Sequence, residues 1–251
     1  MSGEILLAAA LGIAVLMSST WLVSLVAKDA SIVDIVWGLG FVLVAWIAWF
    51  GEADDRSLLV AALVSVWGLR LSGYLAWRNL GKGKDFRYQA MRRRHGRRFG
   101  LISLIVVFGL QGVLMWTVSL PVQAASGGQF TVLDGLGIGL WLIGMVFETV
   151  GDLQLARFKR DPSNAGRVLD TGLWRYTRHP NYFGDFCVWW GIYAIALAGG
   201  AWWSALGPAV MTALLMRYSG AGLLEKTIGR RRPGYAEYVR TTNTFFPGPP
   251  K

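Results

Sequence analysis

One cysteine, two histidines and fifteen acidic residues in a chain of 251 leave little material for several kinds of chemistry. Cys187 alone makes no internal disulfide, and His95 with His179 is too few for a protein-built zinc site, so no metal is expected. The chain has no basic n-region ahead of its first apolar run, and residues 1 to 27 therefore read as a retained helix, not a cleaved signal. Internal repeats and low-complexity segments are also missing, and the Pro-rich end, Phe246-Pro-Gly-Pro-Pro-Lys251, reads as a short irregular tail. The shortage of acids leaves a net charge of +10, a value compatible with nucleic-acid binding. The basic residues, however, lie in blocks between apolar segments, as cytoplasmic loops do, and no nucleic-acid partner is expected.

What the chain has in quantity is apolar surface: 54% hydrophobic residues, 13 Trp and a mean hydropathy of +0.42. Apolar runs at 4–27, 31–51, 57–79, 99–120, 132–152, 181–198 and 201–219 each approach the ~20 residues that a helix needs to cross ~30 Å of hydrocarbon. The expected fold is all-α, a single integral membrane domain over 1–251 with seven transmembrane helices. Only Gly199 and Gly200 separate the last two runs, which predicts a tight helical hairpin. Segments 80–98, 153–180 and 217–251 carry 21 of the 25 Lys and Arg, whereas 121–131 is uncharged. That bias puts the N-terminus outside and the C-terminus in the cytoplasm.

Ionisable groups inside such spans are expensive and mark functional positions. Asp34 falls about one turn into the second run and Arg70 lies mid-way in the third; they either pair with each other or face a wet cavity. Trp67, Arg70 and Tyr74 recur at i, i+3 and i+7 and so share a helix face. The loop Arg78 to Tyr88 mixes glycines with cations, a composition that suits either a phosphate or lipid headgroups, and Arg92 to Arg98 read as a headgroup contact. Gln111 is a further polar group in a span. Glu148 and Asp152 lie one turn apart ahead of Arg157, Lys159 and Arg160, either as a satisfied surface cluster or as part of a site.

The densest polar signal is residues 171–185, Thr-Gly-Leu-Trp-Arg-Tyr-Thr-Arg-His-Pro-Asn-Tyr-Phe-Gly-Asp, which run straight into an apolar helix. Pro180 suits a helix N-terminus, where free N–H groups favour an anion or a carbonyl. Asn181 and Asp185, four apart on one face, offer a donor and an acceptor that match an amide such as nicotinamide. Arg175, Arg178 and His179 upstream are suited to phosphates. The plainer alternative is a capped helix with snorkelling arginines.

The run Gly172 to Asp185, followed by Leu224-Glu225-Lys226 and by Tyr235-Ala-Glu-Tyr238 through Phe246-Pro247, resembles the C-terminal half of steroid 5-alpha-reductase-like membrane proteins. Asp29 to Gly38, Trp67 to Tyr88 and Phe147 to Gln154 extend the resemblance to the bacterial uncharacterised branch of that superfamily, over about residues 29 to 250. It implies a multi-pass protein of the bacterial inner membrane, with substrate-cavity helices in 1–130 and an NADPH-binding half in 131–251. Asn181 and Asp185 would contact the nicotinamide end, and Asp152, Arg157, Lys159 and Trp174 would line the ribose and phosphates. Arg178, His179, Tyr182, Glu225 and Tyr235 are further cofactor candidates. Relatives that reduce steroids place a Gln-Glu pair and a Tyr near the substrate carbonyl; the nearest counterparts here are Asp34 and Trp67, with Tyr74 as a second donor. The implied reaction is hydride transfer from NADPH to the conjugated C=C of a lipophilic enone, steroid-like or isoprenoid, with an acid stabilising the enolate oxygen. Isoprenylcysteine carboxyl methyltransferases, which use S-adenosylmethionine, share a similar Arg-His-Pro-x-Tyr-x-Gly turn, and a non-catalytic lipid-binding protein is the third reading. A monomer is compatible with all three.

Overall fold

A computed structural model describes residues 3–81, 85–218 and 234–250 of the chain. All regular structure among them is helical: α1 (Gly3–Ala27), α2 (Ile32–Glu52), α3 (Asp55–Asn79), α4 (Phe86–His95), α5 (Phe99–Ser103), α6 (Leu110–Val118), α7 (Leu120–Ala124), α8 (Val132–Arg160), α9 (Pro180–Ala198), α10 (Leu206–Ala213) and α11 (Tyr235–Thr241). A π-helical stretch, Leu104–Gly109, joins α5 to α6, and another, Leu214–Tyr218, follows α10.

Among the described residues, five helices are long and apolar enough to cross a membrane: α1, α2, α3, the composite Phe86–Val118 and α8. Two of the seven expected spans differ from this pattern. The sixth, α9, has 19 residues but opens on Pro-Asn-Tyr-Phe-Gly-Asp, so its first turns are polar. The seventh is a shorter apolar stretch, Trp202–Met216. It begins with a 3-10 turn, Trp202–Ala205, and becomes α-helical only at Leu206, with Pro208 in the first turn, where a missing N–H is tolerated. The hairpin still closes: Trp190 of α9 donates its indole N–H to Thr212 Oγ1 of α10 at 3.1 Å.

Two expected loops contain helix. Within the basic segment 80–98, α4 is capped by Asp85, whose carboxylate accepts the Arg87 N–H at 2.8 Å, and is ended by Gly96 at φ 52°. α8 continues past residue 152 to Arg160, which sets Arg157, Lys159 and Arg160 on its last turn, against the negative end of the helix dipole.

The described chain forms two compact units, residues 1–130 with 199–206, and 131–198 with 207–251. In the first, α2 and α3 make a hairpin. Asp54 accepts the N–H groups of Arg56 and Ser57 at 2.9 and 3.1 Å, and the Ser57 hydroxyl receives the Asp54 N–H, a capping box that starts α3. The two helices then approach backbone to backbone, since a Cβ on Gly38 would lie 2.5 Å from the Gly68 carbonyl oxygen.

The second unit repeats this device along the α8/α9 pair. Gly137 faces Gly191 and Gly144 faces Gly184, each with room for no more than hydrogen, while Gly151 packs on Pro180. The glycines stand seven apart in each helix, so one stripe of α8 lies against one stripe of α9. That close approach fixes the polar side chains between them.

Candidate functional site

In the second unit, the glycine contact at 144/184 brings the end of α8 against the start of α9. Glu148 and Asp152 are both buried, at 3% and 5% exposure, so they are not a solvated surface pair. Asn181 donates from Nδ2 to Asp152 Oδ1 at 3.2 Å and accepts the Tyr182 N–H through Oδ1 at 3.1 Å. Asp185 lies one turn further along α9, with its Oδ1 buried. Two carboxylates from α8 and a carboxamide and a carboxylate from α9 are thus gathered at one end of the helix pair.

The segment before α9 is anchored on both sides. Gln154 accepts the Leu173 N–H at 3.0 Å, and the Trp174 indole donates to the Gly151 carbonyl at 3.1 Å. Gly172 sits at φ 62°, and a Cβ there would run into the Gln154 carboxamide, so only glycine fits. Downstream, Arg178 departs from a phosphate ligand. Its guanidinium, 6% exposed, donates to the carbonyls of Val239 and Thr242 at 2.9 Å each and to Thr244 Oγ1 at 2.8 Å. It thereby closes the C-terminal end of α11, where a cation suits the free carbonyls. Thr177 donates to the Phe245 carbonyl at 2.8 Å, and the Tyr238 phenol donates to the Trp174 carbonyl. His179 stacks on Tyr182 with ring centroids 5.3 Å apart, and Tyr235 packs beside Tyr238. Arg157, Lys159 and Arg175 are exposed, and Lys159 lines a 140 Å³ cavity with Asp161 and Asn164. Hydrogen bonds from Ser163 hold the exposed Asp161 below the usual carboxylate range. Glu225 lies outside the described residues.

In the first unit, Asp34 does not pair with Arg70. Its carboxylate accepts Arg87 NH2 at 3.0 Å on one oxygen and the Tyr88 phenol at 3.0 Å on the other. Arg87 also chelates Asp85. Partial burial works to raise the Asp85 pKa, but the hydrogen bonds and charge of Arg87 outweigh it, so the carboxyl stays below its ordinary range. Arg70 and Arg78 each place a guanidinium 5.6 Å from the Tyr74 ring centroid. Trp67 is wholly buried, edge-on to Phe41 at 5.6 Å. The sequence reading missed Arg87 and Tyr88 as partners of Asp34. The signal available was the Asp85-Phe-Arg87-Tyr88 order at a helix start, which points Arg87 and Tyr88 back along the α4 cap.

Fold and clusters together define an all-helical, multi-pass protein of a lipid bilayer with buried polar constellations at helix ends. The model of a family described as "Protein of unknown function (DUF1295)" matches residues 20–242, and the chain belongs to that family. An uncharacterized protein of Schizosaccharomyces pombe is 24% identical over 90% of this chain and 75% of its own length. Human 3-oxo-5-alpha-steroid 4-dehydrogenase 1 is 37% identical over 30% of this chain and 26% of its own length. A probable O-methyltransferase, ustE, of Ustilaginoidea virens is 35% identical over 31% of this chain. The chain thus spans about a quarter of each of those two enzymes. No solved structure gives a significant match.

Proposed function

We propose that the protein is a membrane-embedded reductase that uses NADPH to saturate the conjugated C=C of a lipophilic enone, with its basic segments and C-terminus on the cytoplasmic side. The observation that carries the reading is the cluster of buried Glu148 and Asp152 with half-buried Asn181 and Asp185. Its donor set fits the cofactor: a carboxamide and carboxylates suit the nicotinamide amide and ribose hydroxyls, and the exposed Arg157, Lys159 and Arg175 suit phosphates. When bound, NADPH would supply the hydride.

The chain's own part in the chemistry is to hold that ligand, exclude water and steady the charge that develops on the substrate oxygen. Asp34 and Tyr88 are built for the last task. A 3.0 Å contact serves in either direction. The phenol donates to a carboxylate, or a carboxylic acid donates to the phenolic oxygen and frees the phenolic O–H for a carbonyl. Tyr88 thus supplies the phenol that the family resemblance places on the third helix, where this chain has Trp67.

The similarity to a probable O-methyltransferase favours a second reading, an S-adenosylmethionine-dependent methyltransferase. Methyl transfer to a carboxylate needs no proton donor, however, and leaves the Asp34–Tyr88 pair without a task. Calorimetric titration of the detergent-purified protein with NADPH, NADH and S-adenosylmethionine separates the two. NADPH binding weakened by about tenfold or more in Asn181→Ala is expected, the loss of one hydrogen bond to a charged or polar partner. Binding of S-adenosylmethionine alone would sink the reductase.

A further inference from the structure

The first unit holds a 190 Å³ cavity between α4 and the π-helical stretch Leu104–Gly109. Its walls are Met91, Val106, Val107 and Leu110, and its polar points are Gln111 and the Arg87–Tyr88 edge. We propose that this cavity seats the neutral carbonyl end of a single-chain membrane amphiphile, with Gln111 donating to the carbonyl and the chain leaving sideways into the bilayer. The inference rests on the reductase reading only for naming that amphiphile as the substrate.

Three observations support it. Gln111 lies in a membrane-spanning helix, yet its carboxamide makes no hydrogen bond among the described residues, a costly state unless a ligand or water supplies the partner. The helix is widened beside it: the Leu110 N–H reaches back to the Ile105 carbonyl, the π spacing that recurs at functional sites. The walls are open on one side, since Val107 is buried while Val106 and Leu110 are 47% and 54% exposed on what would be the lipid-facing surface.

Size and charge restrict the occupant. A volume of 190 Å³ lies below the roughly 300–1,000 Å³ of pockets that enclose drug-sized ligands, so it holds a head and a few methylenes, not a fused ring system. The guanidinium of Arg87, on the cavity edge, is shared by Asp85 and Asp34. The cation at the cavity edge is thus already held by two carboxylates and is poorly placed to meet an anionic head. The open donor is the neutral amide.

The test is photolabelling of the detergent-purified full chain, without NADPH, by a long-chain α,β-unsaturated methyl ketone carrying a diazirine. Adducts are expected within residues 91–111, displaced by the untagged ketone and reduced by about tenfold in Gln111→Leu, the equivalent of one hydrogen bond. Val106→Trp, at a wall position that is 47% exposed, narrows the cavity and should cut labelling sharply while melting temperature and NADPH affinity are kept. The proposal is overturned if labelling falls elsewhere, if Gln111→Leu labels as well as the parent, or if a long-chain carboxylate or a steroidal enone displaces the probe better than the ketone does. Labelling as expected in a protein that neither binds nor consumes NADPH upholds the cavity assignment and removes the reductase reading.

Discussion

Replacing Gly144 by alanine tests whether the glycine stripe builds the polar cluster of the second unit. A Cβ at Gly144 would stand 2.5 Å from the Gly184 carbonyl oxygen, 2.7 Å from the Val188 nitrogen and 2.8 Å from Val188 Cγ2. Two of the three are backbone atoms that cannot rotate away, so α8 and α9 must separate by about 1 Å to reach ordinary contact. Overpacking of this kind costs about 1–3 kcal/mol. For a chain of this size that lowers the melting temperature by roughly 2–12 °C. Gly139 is the internal control, because it lies on the same helix with nothing within 4 Å of its Cβ. Alanine there should hold or raise the melting temperature by its better helix propensity, worth up to about 1 kcal/mol. The separation also stretches the 3.2 Å contact of Asn181 with Asp152, so ligand affinity should fall with stability in Gly144→Ala and be kept in Gly139→Ala. Differential scanning fluorimetry on the intrinsic tryptophans reads both variants. If Gly144→Ala melts no lower than Gly139→Ala, the account of helix approach is wrong.

Two further outcomes follow from the first unit. Tyr88→Phe keeps the ring but removes the O–H that contacts Asp34, and enone turnover should drop by about 10²–10⁴-fold with KM little changed, whereas unaltered turnover would take Tyr88 out of the chemistry. The Asp85 pKa is depressed, so its contribution to stability is fully present above the unfolded value of about 3.9 and lost as pH falls through the lower folded value; the melting temperature should be level from neutral pH to about 5 and decline below about 4. Asp85→Asn should flatten part of that decline, by under about 1 kcal/mol because the group is only partly buried and solvent screens the pair, and an unchanged profile would refute the assignment.

The apolar runs were readable because period and length are properties of local sequence, and α1, α2, α3 and α8 start within a few residues of their expected positions. Gly51-Glu-Ala-Asp-Asp-Arg was likewise readable as a break between spans. Two features were not. The heptad spacing of Gly137, Gly144 and Gly151 was present in the sequence, but its meaning depends on Gly184 and Gly191 lying opposite, a long-range fact. The pairing of Asp34 with Arg87 and Tyr88 instead of Arg70 was hidden for the same reason: depth in a span is readable, but which neighbouring element bends back over it is not.

The Thr171–Asp185 stretch shows why a dense polar signal is ambiguous. Basic and hydroxyl side chains in a short loop before an apolar helix serve equally to hold a ligand or to hold the chain. Here the buried members do the second: Thr177 and Arg178 together satisfy four backbone carbonyls or hydroxyls of residues 239–245, which an irregular segment near a membrane would otherwise leave bare. A loop so fixed presents Trp174, Arg175 and the first turn of α9 in one arrangement, with little ordering left to do when a ligand arrives. The clamp and the ligand reading therefore support each other, with different residues in each role. Arg178 positions, while the proposed ligand contacts fall to Arg175, Asn181 and Asp185.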